Sequence, residues 1–343
     1  MAVTIKDVAR AANVSVASVS RALNGHASVT DDTRKLVLET ARSLRYIPHS
    51  GARSLSTKRT DTIGVVLPDL YGEFFSELIR GIDVAARRRG LHLLVSSSHG
   101  DAGEAAYALR AMSGRVDGLI IMSPHVDAGF LAENLPAVLP IVLLNTHVTG
   151  DQYSSLAVDN YGGAAAMVQH LVEMGHRRIT MIAGPENNFE AAERLRGYRE
   201  TLARLVPAFD PRDVTVLRGD FTEESGYRAG HQLQALKRLP DAVFAANDMM
   251  AIGCLFALGE AGLQVPRDIA LVGFDDIPTA RFITPPLTTV RVRITDMGSR
   301  ALECLAFQID NPEGTRTSAQ VLQTELVVRR SCGSPKVAGR SAV

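Results

Sequence analysis

The chain has 343 residues, 46% of them hydrophobic, with 37 basic and 37 acidic side chains, which gives enough apolar material for a large core and a length that suits about two domains. The longest apolar stretch, Leu135 to Leu144, contains two prolines, and no apolar signal region precedes Lys6 and Asp7, so membrane insertion and secretion are not expected and a cytoplasmic location is. Cys254, Cys304 and Cys332 are widely spaced without a CxxC pair, which points away from a disulfide framework or a metal cluster and towards reduced packing residues.

Residues Thr4 to Asn24 form the first predicted unit, two short helices separated by a tight turn. Thr4 with Asp7 three residues on makes a capping box and places a carboxylate at the positive helix end. Ile5, Val8, Ala9 and Ala12 share one helical face, as do Val19 and Leu23 in the second segment, so the helices can pack on each other. Ser15 is placed to cap the second helix. Asn13 sits at the turn, where a residue tolerant of positive φ is wanted. Residues 1–60 hold ten Lys or Arg against four Asp or Glu, so a head of +6 is balanced by −6 on the remaining 283 residues. That is the charge distribution of a small module resting on phosphates. A basic amphipathic segment alone also fits a membrane-surface or partner helix.

After Thr60 short apolar runs alternate with amphipathic helices. Ile63–Leu67, a helix over about Phe74 to Arg89 stopped by Gly90, and Leu91–Ser96 form a strand–helix–strand unit. Further runs at Gly118–Met122, Ile141–Asn145, Ile179–Ala183, Val214–Leu217, Ala242–Ala246 and Ile269–Phe274 continue the pattern, with helices such as Gly162–Met174 and Ser225–Leu236 between them. This is an α/β class with parallel sheets covered on both faces, and about eight strands suit two sheets better than one. Ligands in such sheets collect at the carboxyl ends of strands. Asn145, Asn247 and Asp275 stand there, with Arg194 and the aromatics Phe74, Phe75 and Phe221 as further candidates. Amides, carboxylates and a guanidinium can hold adjacent hydroxyls while a ring covers an apolar ligand face. Singly, each Asp or Asn also fits a helix cap or turn, and each Phe fits a core.

The chain resembles the LacI/GalR-type bacterial transcriptional repressors. The head carries Asp7-Val8-Ala9, Val14-Ser15, Val19-Ser20-Arg21 and Asn24, and the connector Tyr46-Ile47-Pro48 and Ala52-Arg53-Ser54-Leu55. The body carries Gly184-Pro185, Arg194 with Gly197-Tyr198, Ala246-Asn247-Asp248, Val272-Gly273-Phe274-Asp275-Asp276 and Pro286-Leu287-Thr288-Thr289-Val290. The resemblance implies a helix-turn-helix head over 1–48, a hinge helix and linker over 49–60, and a two-lobed, periplasmic-binding-protein-like (Rossmann-like) effector and dimerisation domain over 61–330. The first lobe would span about 61–157 and 289–319, the second about 158–287 and 320–330, leaving 331–343 as a tail.

It also implies roles. The second helix would lie in the major groove of double-stranded DNA, with Ser15, Val16, Ala17, Ser18, Arg21 and Asn24 on the DNA side and Arg21 as the base reader, able to donate two hydrogen bonds to guanine. Leu55 would wedge into the minor groove from the hinge helix, which Gly51 weakens. Phe74, Phe75, Asn145, Asp159, Arg194, Phe221, Asn247 and Asp275 would grip a small effector, a sugar or sugar derivative, with a purine corepressor as the alternative. Asn145 replaces an Asp used by some relatives, and Val292 stands where some place a polar pocket residue. A near-palindromic operator read by a homodimer follows from the half-site geometry. No nucleophile elbow, HExxH, Walker A loop or GxGxxG is present, so no enzyme activity, cofactor or metal is expected. The tail from Ser331 carries no apolar heptads for a coiled-coil tetramer.

Overall fold

The computed structural model describes residues 3–47, 59–124, 126–146, 152–206, 215–236, 238–312 and 317–333. The chain divides into two compact units, residues 1–60 and 61–343.

The first unit is built from three helices, α1 (Ile5–Ala11), α2 (Val16–Leu23) and α3 (Asp31–Ser43). Thr4 donates its backbone N–H and its hydroxyl to Asp7 at 3.0 and 2.7 Å, fixing the start of α1. Asn13 turns the chain with φ of 52°, and Ser15 Oγ then accepts the Ser18 N–H at 3.0 Å to start α2. The third helix goes beyond the sequence expectation. Thr30 caps it, Asp31 and Asp32 occupy its first turn, and its Val37 and Ala41 complete a core with Val8, Ala9, Ala12, Val19 and Ala22. The hinge stretch 48–58, and with it Leu55 and Gly51, lies outside the described residues.

The second unit contains two six-stranded sheets. The first has the order β11 (Ala319–Leu322), β5 (Ser154–Val158), β4 (Ile141–Leu144), β3 (Gly118–Ile121), β1 (Thr62–Leu67), β2 (His92–Ser97), with every pairing parallel. The second runs β12 (Glu325–Val327), β10 (Thr288–Arg291), β9 (Ala270–Asp275), β8 (Ala242–Ala245), β6 (Ile179–Ala183), β7 (Val216–Arg218), parallel except for the β10–β12 pair. Helices cover both, as continuous apolar strands require. Around the first sheet lie α4 (Glu73–Arg88), α5 (Ala102–Met112), α6 (Ala128–Asn134) and α11 (Ile294–Asp310); around the second, α7 (Asn160–Glu173), α8 (Phe189–Leu205), α9 (Glu223–Gln234) and α10 (Asp248–Glu260). α4 and α11 approach so closely that a Cβ on Gly81 would strike the Thr295 carbonyl.

All eight expected apolar runs are strands. The four added ones are short and mix polar with apolar residues, and their sheet membership moves the lobe boundaries. β10 belongs to the second sheet, where Val290 pairs with Phe274, so residues 289–291 lie in the second lobe and not the first. β11 pairs with β5 through Gln320 and Leu156, so 320–322 lie in the first lobe and not the second. The chain therefore crosses between lobes at Asp159, at 292–293 and at 323–324. No helix among the described residues is long and apolar enough to cross a membrane.

Candidate functional site

In the first unit, Ser15, Val16, Ala17, Arg21 and Asn24 are exposed and Ser18 is half-buried. Val19 and Ala22, on the opposite face of α2, are buried against α1 and α3. The buried face leaves Val16, Ala17 and Arg21 as one solvent-facing surface at helical spacing. Ser15 and Ser18 are partly committed to the helix start, since their hydroxyls lie 2.9 Å apart and Ser15 also accepts the Ser18 N–H. Val16 is 41% exposed and lies outside the head's hydrophobic core, an apolar side chain whose exposure suits contact with a thymine methyl.

In the second unit a cavity of about 390 Å³ lies between the two sheets, within the range of small-molecule sites. Its walls are the segments that follow the strand ends: 68–75 after β1, His99 and Gly100 after β2, Met122 and Ser123 after β3, and Asn145 and Thr146 after β4. From the other lobe come 185–190 and Arg194 after β6, Asp220 to Thr222 after β7, Asn247 and Met249 after β8, and Asp275 at the end of β9.

Arg194 is the centre of the polar floor. Helix α8 carries it inward, where it is 3% exposed. Its Nε donates to Asn160 Oδ1 at 2.8 Å, one terminal nitrogen donates to the Ala246 carbonyl at 2.5 Å, and the other lies 3.1 Å from Asp275 Oδ1. The guanidinium stacks 3.8 Å from the centre of the Phe274 ring and 5.7 Å from that of Phe221, so its flat faces meet aromatic surface while its edges make the polar contacts. Phe221 holds a φ of 72°, with Asn247 Nδ2 donating to its carbonyl at 2.9 Å. Gly184 is required beneath it, because a Cβ there would strike the ring. Phe74 and Phe75 meet edge to face with centroids 5.5 Å apart. Asn145, at φ 47°, accepts the Val158 N–H at 3.1 Å.

Seven of the eight residues singled out as effector contacts thus line one cavity. Asp159 does not. Its carboxylate accepts the Gly162 N–H at 2.8 Å as the cap of α7, and it stands at the first lobe crossing, away from the lining. Val292 is buried and also outside the lining.

Glu190 is the residue that sequence reasoning missed. It is 7% exposed, lines the cavity and lies one turn before Arg194 on α8. The i, i+4 spacing of Glu190 and Arg194 was a readable signal, since both fall on the face that α8 turns inward. Burial, reinforced by the charge of Asp275, pushes its carboxyl up to about 7, although Arg194, Asn145 and Asn188 pull it down. Burial likewise pushes Asp275 up to about 6 against the pull of Arg194. Asp248, fully buried beside them, is raised well above the usual carboxylate range by burial and by Asp275. It accepts the Ile277 N–H at 2.9 Å and the Thr289 hydroxyl at 2.6 Å, which ties the turn after β9 to β10. Buried carboxylates in such numbers serve equally to grip a polyhydroxylated ligand or to catalyse, and their site alone does not make an enzyme. Among the described residues no His, Cys, Asp and Glu cluster has the arrangement to hold a metal ion.

The family described as "Bacterial regulatory proteins, lacI family" matches residues 4–49, and the "Periplasmic binding protein-like domain" matches 168–332. The chain is 35% identical over 331 residues to the HTH-type transcriptional repressor CytR of Escherichia coli, covering 96% of each chain. It is 36% identical over 337 residues to the HTH-type transcriptional regulator CelR of Thermobifida fusca, covering 96% of this chain and 98% of that one. The ribose operon repressor of Escherichia coli is 37% identical over 317 residues, with 90% and 94% covered. Among solved structures, the lac repressor dimer bound to operator and the anti-inducer ONPF superposes with a TM-score of 0.84 at 30% identity, over 97% of this chain and 100% of that one. The CelR–cellobiose complex does so with a TM-score of 0.70 at 33% identity, over 96% and 99%. These relatives are transcription regulators matched from head to body, and this chain belongs to the lacI family of bacterial regulatory proteins as a DNA-binding transcription regulator.

Proposed function

We propose that this regulator is a repressor of a carbohydrate-utilisation operon, that a small sugar or sugar derivative is its effector, and that it has no catalytic activity of its own. The observation that carries the reading is the cavity, where a stacked Arg194, the acceptors Asp275 and Asn145, the donor Asn247 and the rings Phe74, Phe75 and Phe221 converge at the strand ends of both sheets. Ring hydroxyls need that mixture of bidentate polar groups and flat apolar walls. Two relatives are named with sugars, the ribose operon repressor and the CelR–cellobiose complex. Arg21, Val16 and Ala17 are proposed to read the operator half-site, and Leu55 to enter the minor groove. Because binding at the two sites is linked, an effector that changes operator affinity must have its own affinity changed by the operator by the same factor.

The test is calorimetric titration of the dimer with ribose, cellobiose, guanine and hypoxanthine, each with and without operator DNA. Saturable sugar binding whose affinity shifts on adding operator supports the reading. Binding of guanine or hypoxanthine with silence towards every sugar would overturn it.

A further inference from the structure

The cavity wall is unevenly charged. Within the described residues Arg194 is the sole Lys or Arg of the lining, whereas Asp69, Glu190, Asp220 and Asp275 all contribute carboxylates. Arg194 is already committed to Asn160, Ala246 and Asp275, with its flat face against Phe274. Arg228 approaches Asp220 at 3.5 Å from outside the lining. Helices α4, α8, α9 and α10 begin at the cavity, and such ends ordinarily attract anions. α4, capped by Gly72, has no side-chain cap but carries Glu73 in its first turn, and Thr222 caps α9 with Glu223 and Glu224 behind it; the chain fills the other two ends in the same way. Asn188 takes the Ala191 N–H and Asn247 the Met250 N–H, each at 2.9 Å, while Glu190 and Asp248 place carboxylates in the first turns.

What the floor leaves over is acceptors. Glu190 Oε1 is buried without a hydrogen-bond partner among the described residues, and Asp275 Oδ1 sits in its ion pair without a well-aimed hydrogen bond. Buried acceptors left unmatched are costly, so a ligand that donates to them gains and a ligand that brings more negative charge loses.

Resting on the effector reading above, we propose that this cavity takes only a molecule without negative charge that presents adjacent hydrogen-bond donors to Glu190 and Asp275, and that it excludes the phosphorylated form of the same molecule. Glu190 is the specificity-determining residue. Hydroxyl pairs of a free sugar or nucleoside and the ammonium group of an amino sugar share this chemistry, and the experiment separates them.

The full chain is titrated calorimetrically with matched pairs that differ by one phosphate: ribose and ribose 5-phosphate, cellobiose and cellobiose 6-phosphate, glucosamine and glucosamine 6-phosphate, adenosine and adenosine 5′-monophosphate. The unphosphorylated member of at least one pair should bind, with its ester at least about 100-fold weaker, the effect of a phosphate held several ångströms from an uncompensated carboxylate. At pH 8, where the Glu190 carboxyl is ionised, Glu190→Gln should narrow that ratio about tenfold, because one carboxylate of the wall is gone. A ratio taken within one variant cancels any change in its folding. An ester that binds as tightly as its parent overturns the inference and leaves the effector reading intact, as does a ratio unmoved by Glu190→Gln for the role of Glu190. Binding confined to adenosine upholds the inference and sinks the sugar reading. Silence of every pair overturns the effector reading and this inference with it.

Discussion

Glu190 offers a prediction whose sign and size both follow from the structure. Its carboxyl is raised from 4.5 to about 7 in the folded protein, so the native state holds this proton more tightly than the unfolded chain does. Its contribution to stability is therefore complete below pH 4.5 and is lost as pH rises through about 7. Between pH 5.5 and 8 the loss amounts to about 2 kcal/mol, taking 1.36 kcal/mol per pH unit over the part of the shift that lies in that window. Glu190→Gln removes the ionisation and keeps the shape. Effector-free wild type should thus lose stability relative to Glu190→Gln by about 2 kcal/mol across that window, which for a unit of this size is roughly 4 °C in melting temperature. Asp275, raised to about 6, titrates in both proteins and largely cancels in the difference. Differential scanning calorimetry of the two proteins at pH 5.5, 6.5, 7.5 and 8 reads it directly. A constant gap between the two melting curves at all four values would refute the reasoning, as would a gap that moves in the opposite direction.

Four other outcomes are expected. Arg21→Ala should erase the preference for operator over unrelated DNA in an anisotropy titration, a loss of about 1–3 kcal/mol of discrimination; retained preference would show that another face of the head reads the bases. Ser15→Ala removes the cap of α2 and should lower the stability of the head by about 1 kcal/mol in denaturant unfolding, whereas an unchanged midpoint would mean that the Ser15–Ser18 contact adds nothing. Asp275→Asn should weaken effector binding at least about tenfold through loss of a charged acceptor, and normal binding would remove Asp275 from the site. Thr279→Val deletes a hydroxyl that donates to Glu73 across the cavity mouth and should weaken effector binding about fivefold, the size of one hydrogen bond; equal affinity would show that this contact does not help hold the lobes together.

The strands readable from the sequence are those buried on both faces. Ile63–Leu67, Ile141–Leu144 and Ile179–Ala183 carry little but apolar residues because helices cover them above and below. β5, β11 and β12 escaped because they lie at or near sheet edges and need little hydrophobicity; Ala319, Gln320 and Val321 of β11 are exposed. β10 escaped for a different reason, since its Thr288 and Thr289 are fully buried yet polar and mark no apolar run. The cavity-lining residues at strand ends were legible because the topology delivers the ends of β1 to β4 and β6 to β9 to one crevice. Asp159 follows β5 in the same way and caps the next helix, but it stands at the first lobe crossing, outside the cavity lining. Glu190 was hidden because it comes from a helix, where a Glu reads as solvent-facing.

The same topology explains how a cavity can act on the relation between lobes. The lobes are joined by three crossings and also by hydrogen bonds between them: Tyr71 donates to Glu223 at 3.1 Å, and Glu73 accepts the Thr279 backbone N–H at 2.9 Å. The turn that carries Asp275 into the cavity also carries Asp276, which pairs with Arg291 at 2.7 Å and Arg329 at 2.6 Å. Arg291 ends β10 just before the second crossing, and Arg329 follows β12 just after the third. Asp275 and Asp276 are thus adjacent in sequence, one lining the cavity and the other holding the strands next to two of the three crossings. Both have positive φ, 107° and 56°, so the turn has little freedom to yield locally. A ligand that engaged Asp275 would pull on a turn whose next residue, Asp276, is anchored beside two of the crossings that join the lobes.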